Sequence, residues 1–381
     1  MMDQKDYRSQ LDAVDRELAA LFAKRMDLAA KIAAYKKENG LPVLDLRRER
    51  EKLLAVAEAS PEEIREYTPR LWSLLMELSR SYQNRLMGKE NTLTRQIQEA
   101  IRATPPLFPD RVSVACQGVE GSNSQIACDR LFGNAGILWF HDFGAVFTAI
   151  EKGLCPYGVI PVENSTAGSV NSVYDLMMRH DFRIVRSIRL KVDHNLLAKP
   201  GVRLTEIREI YSHEQAISQC GEFLRSLPGV KVIPCENTVA AAKMAAESPD
   251  RGIAALSSRL CMQYYNLECL QSSVQDKDNN YTRFICIARD LEIYPGADRT
   301  SLMVTLPNER GSLYRLLSRF NALGINLLKL ESRPLPEREF EFMFYFDLDT
   351  PVYAPEFLQL MAELPEACES FHYLGSYREV L

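Results

Sequence analysis

The chain has 381 residues, of which 46% are hydrophobic and 25% charged, and its formal net charge is -5 at pH 7. This composition is typical of a soluble protein of two or three domains, and without a basic surplus we expect no nucleic-acid partner. The N-terminal sequence MMDQKDYRSQLDAVD has no apolar signal region, and no apolar run approaches the ~18 residues of a membrane helix. The nine cysteines never form a CxxC pair and the five histidines are dispersed, which predicts a cytoplasmic protein without a metal or cofactor.

Residues 5–90 are predicted to be entirely helical. Apolar side chains recur at intervals of three or four over residues 5–38, and Gly40-Leu41-Pro42 interrupts the pattern. A second helix is predicted from near Asp45, and a third from Pro61 or Thr68 to Leu86. The first helix would be about 50 Å long, which exceeds the width of a 90-residue domain. Its apolar seam therefore predicts a homodimer, or a higher homo-oligomer, that shares long helices.

Two cations on the first helix stand out. Arg25 occupies a core-type position between Leu21 and Leu28, where an unpaired guanidinium would be very costly. It can pair with a local carboxylate, extend its side chain to solvent, or face a cavity that binds an anion. Lys36 lies eleven residues further on, and therefore on nearly the same face.

The run LDLRRERE at residues 44–51 places Asp45, Arg48 and Glu49 on one helix face. Such a run is either a solvated face or a site for an anionic, hydroxylated small molecule. Ser79 and Gln83, one turn apart on the third helix, add neutral polar groups among apolar neighbours.

These residues together resemble the all-helical chorismate mutase family in its short bacterial form. The matching motifs are YRSQLDAVDRELAALFAKRMDLAAKIAAYKKENGLPVLDLRRERE and LLMELSRSYQ. The resemblance implies a substrate-binding set of Arg8, Arg25, Lys36, Asp45, Arg48, Glu49, Ser79 and Gln83.

Within this set, the resemblance implies that Arg48 helps to hold a carboxylate and that Glu49, beside Asp45, accepts from the ring hydroxyl. Lys36 and Gln83 are the implied catalytic donors to the ether oxygen. Arg8 lies about 25 Å from Arg25 along a straight helix, so if both bind substrate, Arg8 must serve the partner protomer's site.

Residues 91–110 are predicted to be a linker that can contain a short helix, and the pattern changes from residue 111. Short β-rich runs such as RVSVACQG, YGVIPVEN, GIAALSS and TRFICIA alternate with helical stretches. This alternation predicts an α/β domain over residues 111–290 with a largely parallel sheet.

The polar strand ends of this domain resemble the prephenate dehydratase family, whose Thr-Arg-Phe motif is at residues 282–284. The resemblance implies two α/β lobes, like periplasmic binding proteins, with the second lobe at about 187–270. Thr282 and Glu163 are the implied catalytic residues, and the implied substrate-binding residues are Asn164, Ser212, Gln219 and Arg283. Thr282 can donate a hydrogen bond or relay a proton, whereas Glu163 is the better titratable acid by type. Arg283 can bind a carboxylate or form a structural ion pair.

Residues 299–381 are predicted to fold as βαββαβ, the ferredoxin-like arrangement. They resemble the ACT domain, a small amino-acid sensor, which implies phenylalanine as an effector. The implied effector-binding residues are Gly311, Ser312, Leu313, Glu331, Ser332, Arg333 and Pro334. Tyr314 replaces the usual valine, so a pure dimerisation module is the alternative.

The whole chain is therefore predicted to be a bifunctional enzyme of phenylalanine biosynthesis. It would convert chorismate to prephenate and prephenate to phenylpyruvate. A fusion to prephenate dehydrogenase would need a dinucleotide fingerprint, which the sequence lacks. The alternatives are a non-catalytic sensor of aromatic acids and a variant whose dehydratase domain prefers arogenate.

Overall fold

The computed structural model describes residues 4–88, 90–335, 338 and 341–381. The chain forms two compact units. One combines Met1–Gln98 with Leu302–His372, and the other combines Glu99–Ser301 with Tyr373–Leu381. The N-terminal helices thus share a unit with much of the C-terminal segment, an arrangement that the sequence does not predict.

The N-terminal segment is helical, as predicted. Its helices are α1 (Gln4–Glu38), α2 (Leu46–Glu58), α3 (Thr68–Met87) and α4 (Thr92–Ala103). The helix ends follow local chemistry: Asp45 caps α2 by accepting from Arg48 N at 3.0 Å, and α3 ends at Gly88, whose φ of +59° suits glycine. Helix α4 occupies much of the predicted linker. None of the described helices has the length and apolar character needed to cross a membrane.

Helix α1 packs against α3 through a narrow strip that includes the buried Ala29 and Ala33. Much of its apolar seam is not covered. Six of its apolar side chains are 48–64% exposed, namely Leu11, Val14, Leu18, Leu21, Leu28 and Ile32. A contiguous apolar stripe of this kind is typical of an interaction surface.

The first lobe of the α/β body is built on one sheet. Its consecutive elements are β1 (Arg111–Gln117), α5 (Asn123–Leu131), β2 (Asn134–Phe140), α6 (Phe143–Glu151), β3 (Tyr157–Asn164), β4 (Gly168–Ser169), α7 (Asn171–Met177) and β5 (Arg183–Lys191). Val114, Val159, Ile188 and Cys286 are fully buried in its core.

The second lobe is built on another sheet. Its elements are β6 (Asn195–Ala198), β7 (Glu209–His213), α8 (Glu214–Gln219), α9 (Gly221–Arg225), β8 (Lys231–Cys235), α10 (Thr238–Glu247), β9 (Ile253–Ser257), α11 (Cys261–Tyr265) and β10 (Glu268–Gln271). The sheet order is β10-β6-β9-β7-β8. The chain then returns to the first lobe as β11 (Tyr281–Ala288), which pairs with β3 and β5.

The expectation of a largely parallel sheet is wrong, because both sheets are mixed. Strands β1, β2 and β3 run parallel, but β11 is antiparallel to β3 and β5. In the second lobe, β7 is parallel to β8 and β9, whereas β6 is antiparallel to β9 and β10. The antiparallel pairings come from the strands at which the chain passes between lobes, since a strand returning from the other lobe enters from the opposite end.

The C-terminal segment, residues 299–381, contains the predicted βαββαβ order. Its elements are β12 (Arg299–Thr305), α12 (Ser312–Ala322), β13 (Asn326–Pro334), β14 (Phe342–Asp349), α13 (Pro355–Ala367), β15 (Ser370–Tyr377) and β16 (Glu379–Val380). The sheet order is β13-β14-β12-β15, and β16 joins the first lobe beside β5. Within their shared unit, α13 contacts α3 where Gln359 Nε2 donates to Ser81 O at 2.7 Å.

Candidate active sites

Arg25 lies on the side of α1 that faces α3. Its Nη1 donates to the backbone oxygen of Leu75 at 2.8 Å and contacts Ser79 Oγ. Burial lowers the pKa of the guanidinium. Within the described part of the chain no carboxylate pairs with Arg25, which rules out the local ion pair among these residues. A half-buried cation with neutral partners can still attract an anion.

Lys36 closes the turn between α1 and α2. Its Nζ donates to Val43 O at 2.7 Å, and Asp45 follows two residues later as the cap of α2. The ammonium group of Lys36 therefore binds a backbone oxygen that lies only two residues before the capping carboxylate of Asp45. Arg48 and Glu49 lie in the first turn of α2, the first exposed and the second half-buried.

Ser79 and Gln83 are both buried on α3, one helical turn apart. Ser79 contacts Arg25, whereas the Gln83 side-chain oxygen is buried without a hydrogen-bond partner among the described residues. Unsatisfied buried amides are uncommon in native proteins, so Gln83 is marked as a position with a role beyond packing.

Arg8 is exposed near the start of α1 and lies apart from these contacts. Within one chain, Arg25 thus contacts Ser79, and Glu49 contacts Arg80 of α3. It does not bring Arg8 to Arg25, as the length of the helix predicts.

In the α/β body, Asn164 ends β3, and its register partner Thr282 is the second residue of the facing strand β11. Asn164 Oδ1 accepts from the backbone nitrogens of Thr166 at 3.1 Å and Ala167 at 2.9 Å. Since backbone N–H groups can only donate, they fix the orientation of the amide. The Asn164 Nδ2 group must then donate to Thr282 Oγ1, 2.9 Å away.

The network continues into the second lobe. Asn164 Nδ2 also donates to Asn280 Oδ1 at 2.8 Å, and Asn280 Nδ2 donates to Gln219 Oε1 at 2.9 Å. Gln219, on α8, in turn donates to Thr166 Oγ1 at 2.9 Å. Neutral amides and hydroxyls thereby link a helix of the second lobe to two strand ends of the first.

The network determines what the Thr282 hydroxyl can do. Its oxygen already accepts from Asn164, so its own hydrogen is left to donate elsewhere. Of the two alternatives raised by the sequence, this arrangement favours a hydrogen-bond donor, and it requires no ionised group.

His194 adds a further hydrogen bond to the network. Its Nε2 lies 2.8 Å from Gln219 Oε1, and because that oxygen accepts from Asn280, His194 acts as a second donor to it. Burial lowers the pKa of His194, although Gln219 and the charge of Asp193 oppose the shift. A neutral imidazole protonated on Nε2 fits both observations.

Arg283 is buried and held within the protein. Its Nε lies 3.2 Å from Glu379 Oε1, and its Nη2 donates to Tyr377 OH at 2.8 Å. Arg189 and Arg299 also pair with Glu379, at 2.8 and 3.2 Å. Of the two sequence interpretations, the contacts favour the structural ion pair over a carboxylate-binding role.

Glu163 and Ser212 have different surroundings. Glu163 is half-buried on β3, in register with Arg283. Ser212 is fully buried on β7, and its hydroxyl donates to Leu256 O at 2.8 Å. The hydroxyl hydrogen of Ser212 is therefore bonded within its own sheet, although the oxygen can still accept a hydrogen bond.

The predicted effector residues lie at two places in the C-terminal segment. Gly311 has φ +81° where α12 begins, followed by the buried Ser312, whose oxygen accepts from Arg315 at 2.8 Å, and by the half-buried Leu313. Glu331 to Pro334 end β13, which is an edge strand of its sheet. Tyr314, the departure from the usual motif, is 66% exposed.

Several residues of these sites were not predicted from the sequence. Asn280, Thr166 and His194 complete the amide network, Glu379 holds Arg283, and Arg80 contacts Glu49. Asn280 lies two residues before Thr282 in the polar stretch NNYTRF (279–284), but no local pattern shows which distant side chain it meets.

The helical bundle and the two-lobed body define the class of protein. A family model described as chorismate mutase type II matches residues 7–84, and one described as prephenate dehydratase matches residues 114–292. The chain thus carries two enzyme domains, each with one of the two polar sites.

Comparison with known proteins identifies the family. The bifunctional chorismate mutase/prephenate dehydratase of Enterobacter agglomerans is 31% identical over 97% of this chain and 94% of its own length. The chain belongs to the bifunctional chorismate mutase/prephenate dehydratase family, and both enzyme activities reside in it.

Two solved structures resemble the larger part of the chain. Prephenate dehydratase from Arthrobacter aurescens in complex with L-Phe is 27% identical, with a TM-score of 0.65, over 70% of this chain and 90% of that one. A quorum-quenching acylase, GqqA, is 29% identical, also with a TM-score of 0.65, over 70% of this chain and 98% of that one. Since one fold can serve different chemistries, the residues of the site must decide the reaction.

Proposed function

We propose that the helical site, which includes Arg25, Ser79 and Gln83, rearranges chorismate to prephenate. We propose that the interlobe site, the network around Asn164 and Thr282, converts prephenate to phenylpyruvate with loss of water and CO2. The observation that carries the second assignment is the network that leaves the Thr282 hydroxyl free to donate. The contact of Arg25 with Ser79 across α1 and α3 supports the first assignment.

The mutase reaction is a concerted rearrangement that needs neither a nucleophile nor proton transfer. The enzyme can accelerate it by holding the reactive conformer and by stabilising charge on the breaking ether oxygen. We assign the two substrate carboxylates to Arg25 and Arg48, with Arg8 of a second protomer. Lys36 and Gln83 donate to the ether oxygen, while Glu49, with Asp45 beside it, accepts from the ring hydroxyl.

The exposed seam of α1 supports a dimer in which Arg8 completes the partner's site. Inactive Arg8→Ala and Lys36→Ala chains, mixed and re-associated, should then regain mutase activity, because each hybrid contains one site without either defect. If hybrids form and activity stays absent, the shared site is wrong.

In the dehydratase reaction, aromatisation drives loss of the ring hydroxyl and CO2, and the enzyme must help the hydroxyl to leave. Thr282 donates a hydrogen bond to it, held in direction by Asn164 and the Gln219 amide. Glu163, which precedes Asn164 on β3 and is half-buried, is the other catalytic residue of the proposal. Ser212 and Arg283 support the walls of the cleft through their contacts with Leu256 and Glu379.

Prephenate is the proposed substrate of the second site, with arogenate as the alternative. Arogenate carries an amino group where prephenate has a keto oxygen. Comparing kcat/KM for the two acids on one preparation decides between them, and a higher value for arogenate would overturn the choice of prephenate.

We further propose that the C-terminal segment is an ACT domain of ferredoxin-like fold that binds phenylalanine and inhibits the dehydratase. Gly311 allows a ligand to approach the backbone N–H groups at the start of α12, and β13 offers an exposed edge to a second copy. The L-Phe complex of the related dehydratase supports this effector.

Calorimetry with phenylalanine tests the regulatory assignment. Parent protein should bind phenylalanine, and Gly311→Val, which places a side chain at φ +81°, should abolish the heat of binding with little loss of basal dehydratase activity. No heat with the parent, together with an unchanged dehydratase rate, would leave dimerisation as the role of the segment.

We also place the enzyme in the cytoplasm. All nine cysteines are free, and six are buried, which suits a reducing compartment. Incubation with chorismate tests the whole proposal: prephenate should accumulate and then give way to phenylpyruvate. An acylase or a sensor without catalytic activity would leave chorismate unchanged.

A further inference from the structure

Arg80 stands between two carboxylates on the inner side of the helical bundle. Its Nη1 contacts Glu49 Oε1 on α2, and its Nη2 contacts Glu77 Oε2 on α3 itself. The side chains of Arg80, Glu49 and Glu77 are 15%, 24% and 10% exposed, so water screens this cluster weakly. Arg80 was not part of the site predicted from the sequence.

The cluster extends to the C-terminal segment within the same compact unit. Glu77 Oε1 lies 3.6 Å from Arg319 Nε on α12, and Arg319 Nη1 donates to Glu363 O on α13 at 3.5 Å. Glu77 is thereby held from both sides, by Arg80 and by Arg319. The order of contacts is Glu49, Arg80, Glu77, Arg319.

This geometry limits how the Glu49 carboxylate can move. Arg80 occupies Oε1, which leaves Oε2 to accept a hydrogen bond from a ligand. If the guanidinium were removed, Glu49 and Glu77 would face each other as like charges in a poorly solvated place. Glu49 would then turn away from Glu77 and lose its fixed direction.

Burial lowers the pKa of Arg80, but the charges of Glu77 and Glu49 more than offset this and raise it above its ordinary value. The guanidinium is therefore permanently charged, and a neutral side chain cannot replace it without loss of the two contacts.

We propose that Arg80 is a positioning residue of the mutase site, which fixes Glu49 for the substrate ring hydroxyl and is itself held by Glu77 and Arg319. This inference rests on the proposed role of Glu49. It gives the C-terminal segment a direct structural part in the mutase site, through Arg319.

The test is mutase kinetics on chorismate and on an analogue that lacks the ring hydroxyl, with the full-length chain. Arg80→Gln should lower kcat/KM for chorismate about tenfold and change that for the analogue less than about twofold. Arg80→Lys, which can contact one carboxylate at a time, should fall between parent and Arg80→Gln. Arg319→Gln should cause a smaller loss in the same direction.

A double-mutant cycle shows whether Arg80 acts through Glu49. The Arg80→Gln/Glu49→Gln variant should be no worse than Glu49→Gln alone, because the first change has nothing left to position. Arg70→Gln is the matched control, since Arg70 is an exposed arginine on the same helix. This variant should leave kcat/KM unchanged for both chorismate and the analogue. Unchanged dehydratase activity and thermal unfolding of each variant show that the chain has folded.

The outcomes distinguish a failure of the role assigned to Glu49 from a failure of the positioning role of Arg80. If Glu49→Gln leaves kcat/KM for chorismate unchanged, the assigned role of Glu49 is wrong and the inference falls with it. If Glu49→Gln is defective but the Arg80 and Glu49 losses multiply, or if Arg80→Gln impairs both substrates equally, the assignment of Glu49 stands and the positioning role is overturned.

Discussion

The helical site and the interlobe site hold their polar groups in opposite ways. The helical site is built from cations and carboxylates on separate helices, and in one chain Arg8 and the apolar seam of α1 are left exposed. The interlobe site is built from neutral amides and hydroxyls that satisfy one another within a single chain. A rearrangement that develops charge without proton transfer suits the first, and departure of a hydroxyl assisted by a directed donor suits the second.

This difference predicts which substitutions impair each site. The charged site depends on electrostatic attraction and, in the dimer that we propose, on Arg8 of a second protomer. Single charge deletions there should therefore be severe and confined to the mutase reaction. The neutral site depends on the direction of each hydrogen bond, so an isosteric change that reverses one donor should be as damaging as a deletion.

Removal of the Lys36 ammonium group should have the largest effect. Lys36→Ala is expected to lower mutase kcat by about 10²–10³-fold, because it deletes a donor to the ether oxygen, while dehydratase activity on supplied prephenate persists. The exposed neighbour Lys37 supplies the control, and Lys37→Ala should retain both activities. A collapse of both activities in Lys36→Ala would show that the two sites do not work independently.

The interlobe network should be sensitive to direction rather than to charge. Asn164→Asp keeps an acceptor for the nitrogens of Thr166 and Ala167 but loses the donor to Thr282. The Thr282 hydroxyl would then turn its hydrogen inward, and dehydratase kcat should fall about 10²-fold, as for Asn164→Ala.

The control for this prediction is the exposed amide of Asn134, whose replacement by Ala should leave dehydratase activity intact. Wild-type-like activity of Asn164→Asp in steady-state assays would mean that the donor to Thr282 is unnecessary.

The residues of the helical site leave a plainer local pattern in the sequence than those of the interlobe site, for a physical reason. Arg25 is conspicuous because a cation interrupts a regular apolar seam, and Ser79 and Gln83 interrupt the seam of α3 in the same way. The partners of Asn164 follow no period: Asn280 is 116 residues away and meets it only because β11 returns beside β3. Arg80 and Glu379 were missed for the same reason, since ion pairs between distant segments leave no local pattern.

The fold was predicted to a similar extent. Helix periodicity, the break at Gly40-Leu41-Pro42 and Asp45 located the N-terminal helices to within a few residues. The mixed character of the sheets was missed, because the direction of β11 depends on the path of the chain through the second lobe.

Gln83 offers a pH test of the charged site. Gln83 cannot titrate, so mutase activity should persist across neutral pH. A glutamate in its place must be protonated to donate to the ether oxygen, so Gln83→Glu should lose activity, up to about tenfold per pH unit, as pH rises through its titration. A flat rate profile of Gln83→Glu from about pH 5 to 8 would contradict the donor role.

The smallest expected effect concerns His194 and the stability of the neutral site. Burial lowers the pKa of His194 in the folded protein, so below its ordinary value of 6.5 the unfolded chain binds more protons than the folded one. Stability should therefore fall as the pH decreases below 6.5.

Urea unfolding of the parent and of His194→Gln above and below pH 6.5 measures this contribution. The parent should lose more stability on acidification than the variant. Equal losses in the two proteins would place the acid sensitivity elsewhere.

Reconstitution from two single-site variants tests the independence of the sites most directly. Lys36→Ala and Asn164→Ala chains are assayed separately and mixed, with chorismate as substrate and phenylpyruvate as product. Each variant alone should form almost no phenylpyruvate, yet Asn164→Ala should release prephenate at the parental rate and the mixture should complete the reaction. Failure of the mixture, or loss of both activities in either variant, would contradict two independent sites.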